Sequence, residues 1–385
     1  MNPLRISILA ILLLTSVTWA RNNDSTTSGY QFTMVKELGA TPVKNQNRTS
    51  TCWSFSALSL LESELLRMGK GPVDLSEMFI VRNIYQRKAE KFVRMHGNLA
   101  FAPGGAFNDV ADVIRDIGIV PDQVYPGLSY GEALHVHNEL DAVLRAVVDA
   151  LIKAPNGKLT PAWKRSVAGI LDGYLGPEPK EFEWQGKRWT PRNYADQALG
   201  IKTEDYILLS SFTHHPFYTQ FALEVPDNWS YGLVYNIPLD DMLRTMTHAI
   251  EHGFTIAWAS DVSEKGFNHK KGMAIVPDKA WEDMSKGETD SVFIAPVKEK
   301  VITQQFRQEG FDNYTTQDDH GMHIIGLSRD VNGGRYFYVK NSWGEKNNPY
   351  GGYFHASEAY VRYKTTSIML HKDAIPADIR AKLKL

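Results

Sequence analysis

Between residues 53 and 68 the apolar side chains Phe55, Leu58, Leu61 and Leu65 recur at the spacing of a helix with one buried face. The N-cap formers Thr49, Ser50 and Thr51 precede the run and Gly69 follows it, so the pattern predicts a helix bounded at both ends with Cys52 in its first turn. A second helix is expected from Leu75-Ser76-Glu77, and a third over roughly residues 108–117, entered through Pro103-Gly104-Gly105 and ended at Gly118. Upstream, residues 30–46 read as a short extended segment. A helical run over residues 132–153 then gives way to a stretch rich in Trp, Tyr and Pro with weak periodicity. From Phe254 onward the pattern becomes strand-like, in Thr255-Ile256-Ala257-Trp258-Ala259, His323-Ile324-Ile325-Gly326-Leu327 and Tyr336-Phe337-Tyr338-Val339-Lys340. Helices first and strands later predict an α+β molecule with two unlike lobes. The expected boundaries are a mainly helical lobe over 30–127, an insertion packed onto it over 128–253, and a strand-rich lobe closing in a strand and a helix over 254–385. All belong to one unit spanning 21–385.

Composition narrows this picture. A net charge of −2 and the absence of a long basic run leave no electrostatic footprint for nucleic acid. At the N-terminus Arg5, an apolar stretch over residues 6–17 and Thr18-Trp19-Ala20 precede the polar Arg21-Asn22-Asn23-Asp24, the pattern of an export signal cut after Ala20. That stretch is too short to span a bilayer, and no second apolar run of spanning length follows. Residues 1–20 are therefore expected to be a signal peptide, and the mature protein to be secreted or periplasmic with no integral membrane segment. Exported chains of this size commonly carry disulfides, yet this one has a single cysteine and can form none within itself. The thiol of Cys52 is then either an incidental small hydrophobe or a chemical group.

Its surroundings favour chemistry. The first turn of a helix stabilises a thiolate through the positive helix end and unpaired backbone N–H groups. Six residues earlier, Gln46 offers a side-chain amide that can share an oxyanion with the Cys52 N–H, or is simply a loop residue. Candidate bases are His320 and His323. If Asp330-Val331-Asn332-Gly333-Gly334 closes a hairpin about residue 331, His320 lies opposite Asn341 and His323 opposite Tyr338. Strand parity prevents both histidines from facing one site, so His320 pairs with Asn341 as base and orienting amide, and His323 is structural. Trp343, in Asn341-Ser342-Trp343-Gly344, is placed to shield that hydrogen bond from water. The closely spaced histidines His135 and His137 and the adjacent His214-His215 come with no Cys, Glu or Asp at ligand spacing, so neither a metal nor a cofactor is expected.

Thr41-Pro42-Val43-Lys44-Asn45-Gln46, Cys52-Trp53-Ser54-Phe55-Ser56, Leu75-Ser76-Glu77, Gly104-Gly105, Asp319-His320-Gly321 and Asn341-Ser342-Trp343-Gly344 resemble, in order, the hallmark segments of papain-like cysteine peptidases. Through the long insertion between Pro126 and Phe254 and the stretch Trp258-Ala259-Ser260-Asp261-Val262, the chain is most similar to the bleomycin hydrolase and aminopeptidase C branch. The resemblance implies a papain-like two-lobed fold, peptide as substrate, Cys52 as nucleophile, His320 as base and then acid, Asn341 as orienter and Gln46 as oxyanion donor. It places Gly104, Gly105, Trp53 and Trp343 at the substrate cleft and implies a homo-oligomer, since that branch forms hexamers.

Three departures from the family pattern stand out. Thr49-Ser50-Thr51-Cys52-Trp53 lacks the second cysteine of the usual signature. The segment between Ala20 and Gln46 is too short for an inhibitory prodomain, so the enzyme is expected to be active once folded. Residues 360–385 look like the last strand and helix before the C-terminal arm whose terminal carboxylate receives the substrate amino group in the branch. Without that arm the cleft is expected to be open, leaving aminopeptidase and endopeptidase or relaxed activity as the two readings. A catalytically silent peptide-binding protein and an acyl-transfer enzyme on the same scaffold are the rivals.

Overall fold

The structure is a computed structural model in which residues 29–153 and 157–385 are described; the expected signal segment, 1–20, lies outside them. After β1 (Thr33–Glu37) come five helices, α1 (Cys52–Arg67), α2 (Glu77–Arg94), α3 (Phe107–Asp116), α4 (Asn138–Ile152) and α5 (Ala162–Leu175). A hairpin of β2 (Phe182–Trp184) and β3 (Lys187–Trp189) and the single turn α6 (Pro191–Asn193) lead to β4 (Tyr206–Ser210), β5 (Gln220–Ala222), β6 (Leu233–Asn236) and α7 (Leu239–Glu251). There follow β7 (Ile256–Ser260), β8 (Phe267–Asn268), β9 (Met273–Ala274), α8 (Lys286–Ser291) and α9 (Gln304–Asp312). The chain finishes with β10 (His320–Arg329), β11 (Arg335–Lys340), β12 (Tyr353–Ser357), α10 (Glu358–Lys364), β13 (Thr365–His371) and α11 (Ala377–Leu383). The α+β class expected from the pattern is what the chain adopts.

One sheet runs in the order β5-β6-β4-β13-β7-β10-β11-β12-β9-β8, with β1 paired to β10. Its centre separates two apolar cores by strand parity. On β7, Ala257 and Ala259 join the core shared with α1 to α5, whereas Ile256 and Trp258 join the core built with α7 and α11. Small side chains on the first face let α1 lie close against β7 and β10, which sets Cys52 at the seam of the two layers. The mid-chain segment is woven into both: α4 and α5 complete the helical core, while β4 pairs with β13 and carries β6 and β5 beyond it.

The first three helices form where the periodicity places them. Ser76 caps α2 by accepting from the Phe79 N–H at 3.0 Å, and Gly118, at φ +109°, ends the α3 segment in a conformation that favours glycine. The fourth departs: α4 starts at Asn138, not near residue 132. Residues ahead of it are drawn out of the helix by pairing with the Cys52 loop, where Arg48 N–H donates to the His135 carbonyl at 3.1 Å and His137 N–H to the Arg48 carbonyl at 3.0 Å.

The β10–β11 hairpin also differs in register from expectation. His323 pairs with Lys340, not Tyr338. Asp330 builds a tighter turn centred one residue later, its Oδ1 accepting from the N–H groups of Asn332 at 2.9 Å and Gly334 at 2.8 Å. A bulge between Ile324 and Gly326 then takes back one residue of that shift. His320 and Asn341 therefore meet beyond the paired ladder and not as directly opposed residues. Among the described residues no helix is long and apolar enough to cross a membrane.

Candidate active site

Cys52 is the first residue of α1 and is half-buried at the layer seam. Thr51, the residue before it, lends no side-chain cap to the helix, because its hydroxyl is engaged with that of Thr49 at 2.6 Å. The first-turn N–H groups beside the thiol are thus not consumed by a cap, and they are what a developing anion there would meet. Burial pushes the thiol up to about 12; the Gly321 N–H works against that shift, and the carboxylates of Asp227 and Asp318 add to it.

Across the seam stands His320, at the head of β10, paired to Ser260 of β7. Its Nε2 lies 2.7 Å from Asn341 Oδ1. The Ser342 N–H donates to the same Oδ1 at 2.8 Å, which identifies that atom as the amide oxygen. Nε2 must therefore carry the imidazole proton, leaving Nδ1 as the acceptor. Burial lowers His320 to about 4, with the Asn341 bond acting in the opposite direction and His269 adding to the decrease. Trp343 stacks on the imidazole at 4.7 Å between ring centroids and covers the His320–Asn341 bond. The rings of His269 and Phe267 meet it edge-on.

Parity keeps the two histidines apart. Gly321 and His323 face α1: a Cβ at Gly321 would stand 2.7 Å from Ser56 Oγ, and His323 Nδ1 is bonded to Ser59 Oγ at 2.9 Å. His323 is fully buried there beside Lys340, which donates to the same Ser59 hydroxyl at 2.8 Å. Gln46 is buried and oriented from the other strand: Ser342 Oγ donates to its Oε1 at 2.6 Å, and its N–H donates to the Ser342 carbonyl at 2.9 Å. The Nε2 group is the donor this leaves.

Beside the thiol and imidazole lies a cleft lined by Trp53, Gly105, Asn108, Leu208, Leu223, Asp227, Gly321 and Ser367, among others. Gly105 accommodates the Trp53 ring, which a Cβ would approach to 2.9 Å, and Trp53 donates to the Pro103 carbonyl at 3.2 Å. Gly104 is buried at the rim beneath Asp227. Gln46 and Trp343 stand outside this cleft, on the Asn341 side of His320. Sequence reasoning missed Ser342 as the group orienting both amides, although it lies inside Asn341-Ser342-Trp343-Gly344. It also missed Asp227, Leu208 and Ser367, which reach the cleft from distant parts of the chain without a local signal.

The histidine pair at 214–215 needs a correction. The fold brings Glu224 to it, with His214 Nε2 and His215 Nε2 each 2.9 Å from a Glu224 oxygen. Gln308 Nε2 faces His214 Nδ1 at 3.0 Å, and its Oε1 is held by the Thr213 N–H at 2.6 Å. The proton of His214 is then on Nε2 and points at the carboxylate, which makes this a hydrogen-bonded trio without recourse to an ion.

A helical layer against a sheet, with a thiol at a helix start and an imidazole at a strand head, is the arrangement of papain-like cysteine peptidases. The chain belongs to the Peptidase C1-like family, whose family model matches residues 73–385. That range contains His320 and Asn341 and begins after Cys52. Longer matches span the thiol: aminopeptidase C of Listeria monocytogenes is 23% identical over 418 residues, covering 98% of this chain and 91% of the relative. Aminopeptidase E of Lactobacillus helveticus is 21% identical, covering 96% and 90%. Among solved structures, PepW of Lactobacillus rhamnosis superposes with a TM-score of 0.70 at 21% identity over 91% of this chain and 84% of that one. The protein is thus a papain-like cysteine peptidase of the aminopeptidase C branch.

Proposed function

We propose that the protein removes residues from the N-terminus of peptides through a Cys52–His320–Asn341 site and an acyl-enzyme. The observation that carries this reading is the 2.7 Å contact of His320 Nε2 with Asn341 Oδ1, which leaves Nδ1 free to take a proton at the cleft that also holds Cys52. Cys52 gives its proton to His320 Nδ1, and the sulfur adds to the scissile carbonyl carbon. The oxyanion is met by the Cys52 N–H and Gln46 Nε2. Collapse breaks the C–N bond, and the leaving amine takes the proton from His320. Water, deprotonated by the same nitrogen, then splits the thioester and restores the thiol. The names of the relatives support aminopeptidase activity over the endopeptidase alternative.

Intact mass after rapid quenching with an activated ester of an amino acid tests the covalent step. An aminoacyl adduct on Cys52 is expected; turnover with no adduct on Cys52, under conditions where hydrolysis of the acyl-enzyme is slow, contradicts it. The reading includes export with removal of residues 1–20, leaving one catalytic unit, secreted or periplasmic, and assembly as a homo-oligomer. N-terminal sequencing of the exported protein and its mass in solution check these.

A further inference from the structure

Residues 223–232, between β5 and β6, leave the sheet and cross to the helical lobe. Asn228 holds the loop from within: its Nδ2 donates to the carbonyls of Leu223 and Gly232 at 3.0 Å, and its Oδ1 accepts from the Gly232 N–H at 2.8 Å. Trp229 fastens it outward by donating to Asp109 of α3 at 2.8 Å. Lys91 of α2 donates to the Ser230 carbonyl, and Asn108 to the Ser230 hydroxyl, both at 2.9 Å. A loop tied down on both sides carries Asp227 into the cleft lined by Cys52 and His320.

Asp227 is half-buried and makes no hydrogen bond or ion pair with any described residue. The other cleft carboxylates are committed. Asp318 accepts from Thr366 Oγ1 at 2.6 Å, and Asp319 from the N–H groups of Val262 at 2.9 Å and Ser263 at 3.2 Å. Lys88, whose charge Asp227 feels, is turned to the carbonyls of Ala102 and Gly104. Gly104 lies directly under the Asp227 carboxylate, where a Cβ would overlap it, so the missing side chain is what admits the acid. A carboxylate withdrawn from water without a partner is costly. The group that can offset this cost is a cation arriving in the cleft.

We propose that the 223–232 loop is the N-terminal stop of the substrate cleft and that Asp227 receives the α-ammonium group of the residue to be removed. This rests on the reading of Cys52 as a peptidase nucleophile and answers which end of a peptide reaches it. A free α-amine, with an ordinary pKa of about 7.7–8.0, is largely protonated at neutral pH and forms a charge-assisted hydrogen bond with the carboxylate. An acetylated amine carries no charge, and a chain continuing past the N-terminal residue runs into the 223–232 loop. The stop is thus an internal loop of the chain.

The test is kcat/KM for an aminoacyl amide with a neutral side chain and for its N-acetyl derivative, in the wild type and in Asp227→Asn. The wild type is expected to prefer the free amine. In Asp227→Asn that ratio should shrink roughly 10- to 100-fold, the scale of one charged hydrogen bond, through KM of the free-amine substrate. Asp227→Glu should keep part of the preference. An unchanged melting temperature and labelling of Cys52 by a thiol reagent show that the variant is folded with its site accessible. An unchanged ratio in such a folded, labelled variant overturns the proposal. So does an effect confined to substrates with Lys or Arg side chains regardless of acetylation, which would make Asp227 a side-chain selector. A wild type that is labelled nowhere at Cys52 and cleaves neither substrate overturns the underlying peptidase reading, and the proposal with it.

Discussion

At His320 the position of one proton decides what the site can do. Ser342 fixes the Asn341 oxygen, Asn341 fixes the Nε2 proton, and Nδ1 is left as the ring's acceptor at the cleft that Cys52 also lines, its thiol kept protonated by burial. Since burial lowers His320 to about 4, the imidazole stays neutral and able to accept until the pH falls to that value. In kcat/KM profiles, activity should hold through pH 6.5 and be lost as pH falls through about 4; a limb near 6.5 would show an imidazole still exposed to water. Replacing His320 with Ala should lower kcat/KM by about 10²- to 10⁴-fold. Gly321→Ala is expected to be disproportionately harmful for one methyl group, because its Cβ has Ser56 Oγ at 2.7 Å and the Cys52 carbonyl group at 3.3 Å. Loss of about 1–3 kcal/mol of stability, read from denaturant unfolding, should accompany a fall in activity. Cys52, Gln46, His320 and Asn341 were legible in the sequence because each lies at a point with its own local signal: a helix start, the loop before it, a strand head and a strand end. Asp227 was not, since nothing near it in the chain announces that residue 104 will lie beneath it.

Elements became legible to the extent that their own residues determine them. The apolar stripe of α1 suffices to define it, whereas the start of α4 depends on residue 48 pairing with residues 135 and 137, a contact no periodicity encodes. Parity placed His320 and His323 on opposite faces even though the register was displaced, because the faces of β10 alternate whatever residue lies across from them. A buried ionic cluster ties the leading segment to the first two helices. Lys44 Nζ lies 3.1 Å from Glu62 and 2.6 Å from Glu77, and the Leu75 N–H donates to Glu62 at 2.9 Å. Burial pushes Glu77 up to about 8, with Lys44 pulling it back and Glu62 adding to the rise. Lys44→Met removes the cation that bridges two buried acids and should destabilise the fold by about 3–5 kcal/mol in urea unfolding. An effect under about 1 kcal/mol would place the pair among surface ion pairs.

In the whole molecule, the two cores meet along α1, β7 and β10, so the same packing that stabilises the chain also sets the distance between thiol and imidazole. No disulfide takes part, since Cys52 is the single cysteine. Calorimetric melting should therefore be indifferent to reductant, and a melting temperature lowered by dithiothreitol would reveal a cross-link between chains. The mid-chain residues 128–253, which read from the sequence as an elaboration, supply strands to the sheet and a wall to the cleft, because β4 finds its partner in β13 near the far end of the chain. The measurement that bears most directly on the account is hydrolysis of a free-amine aminoacyl substrate by purified wild type and Cys52→Ala proteins of equal melting temperature. The account predicts that turnover falls to the uncatalysed background in the variant; turnover persisting in Cys52→Ala at the wild-type rate would contradict it.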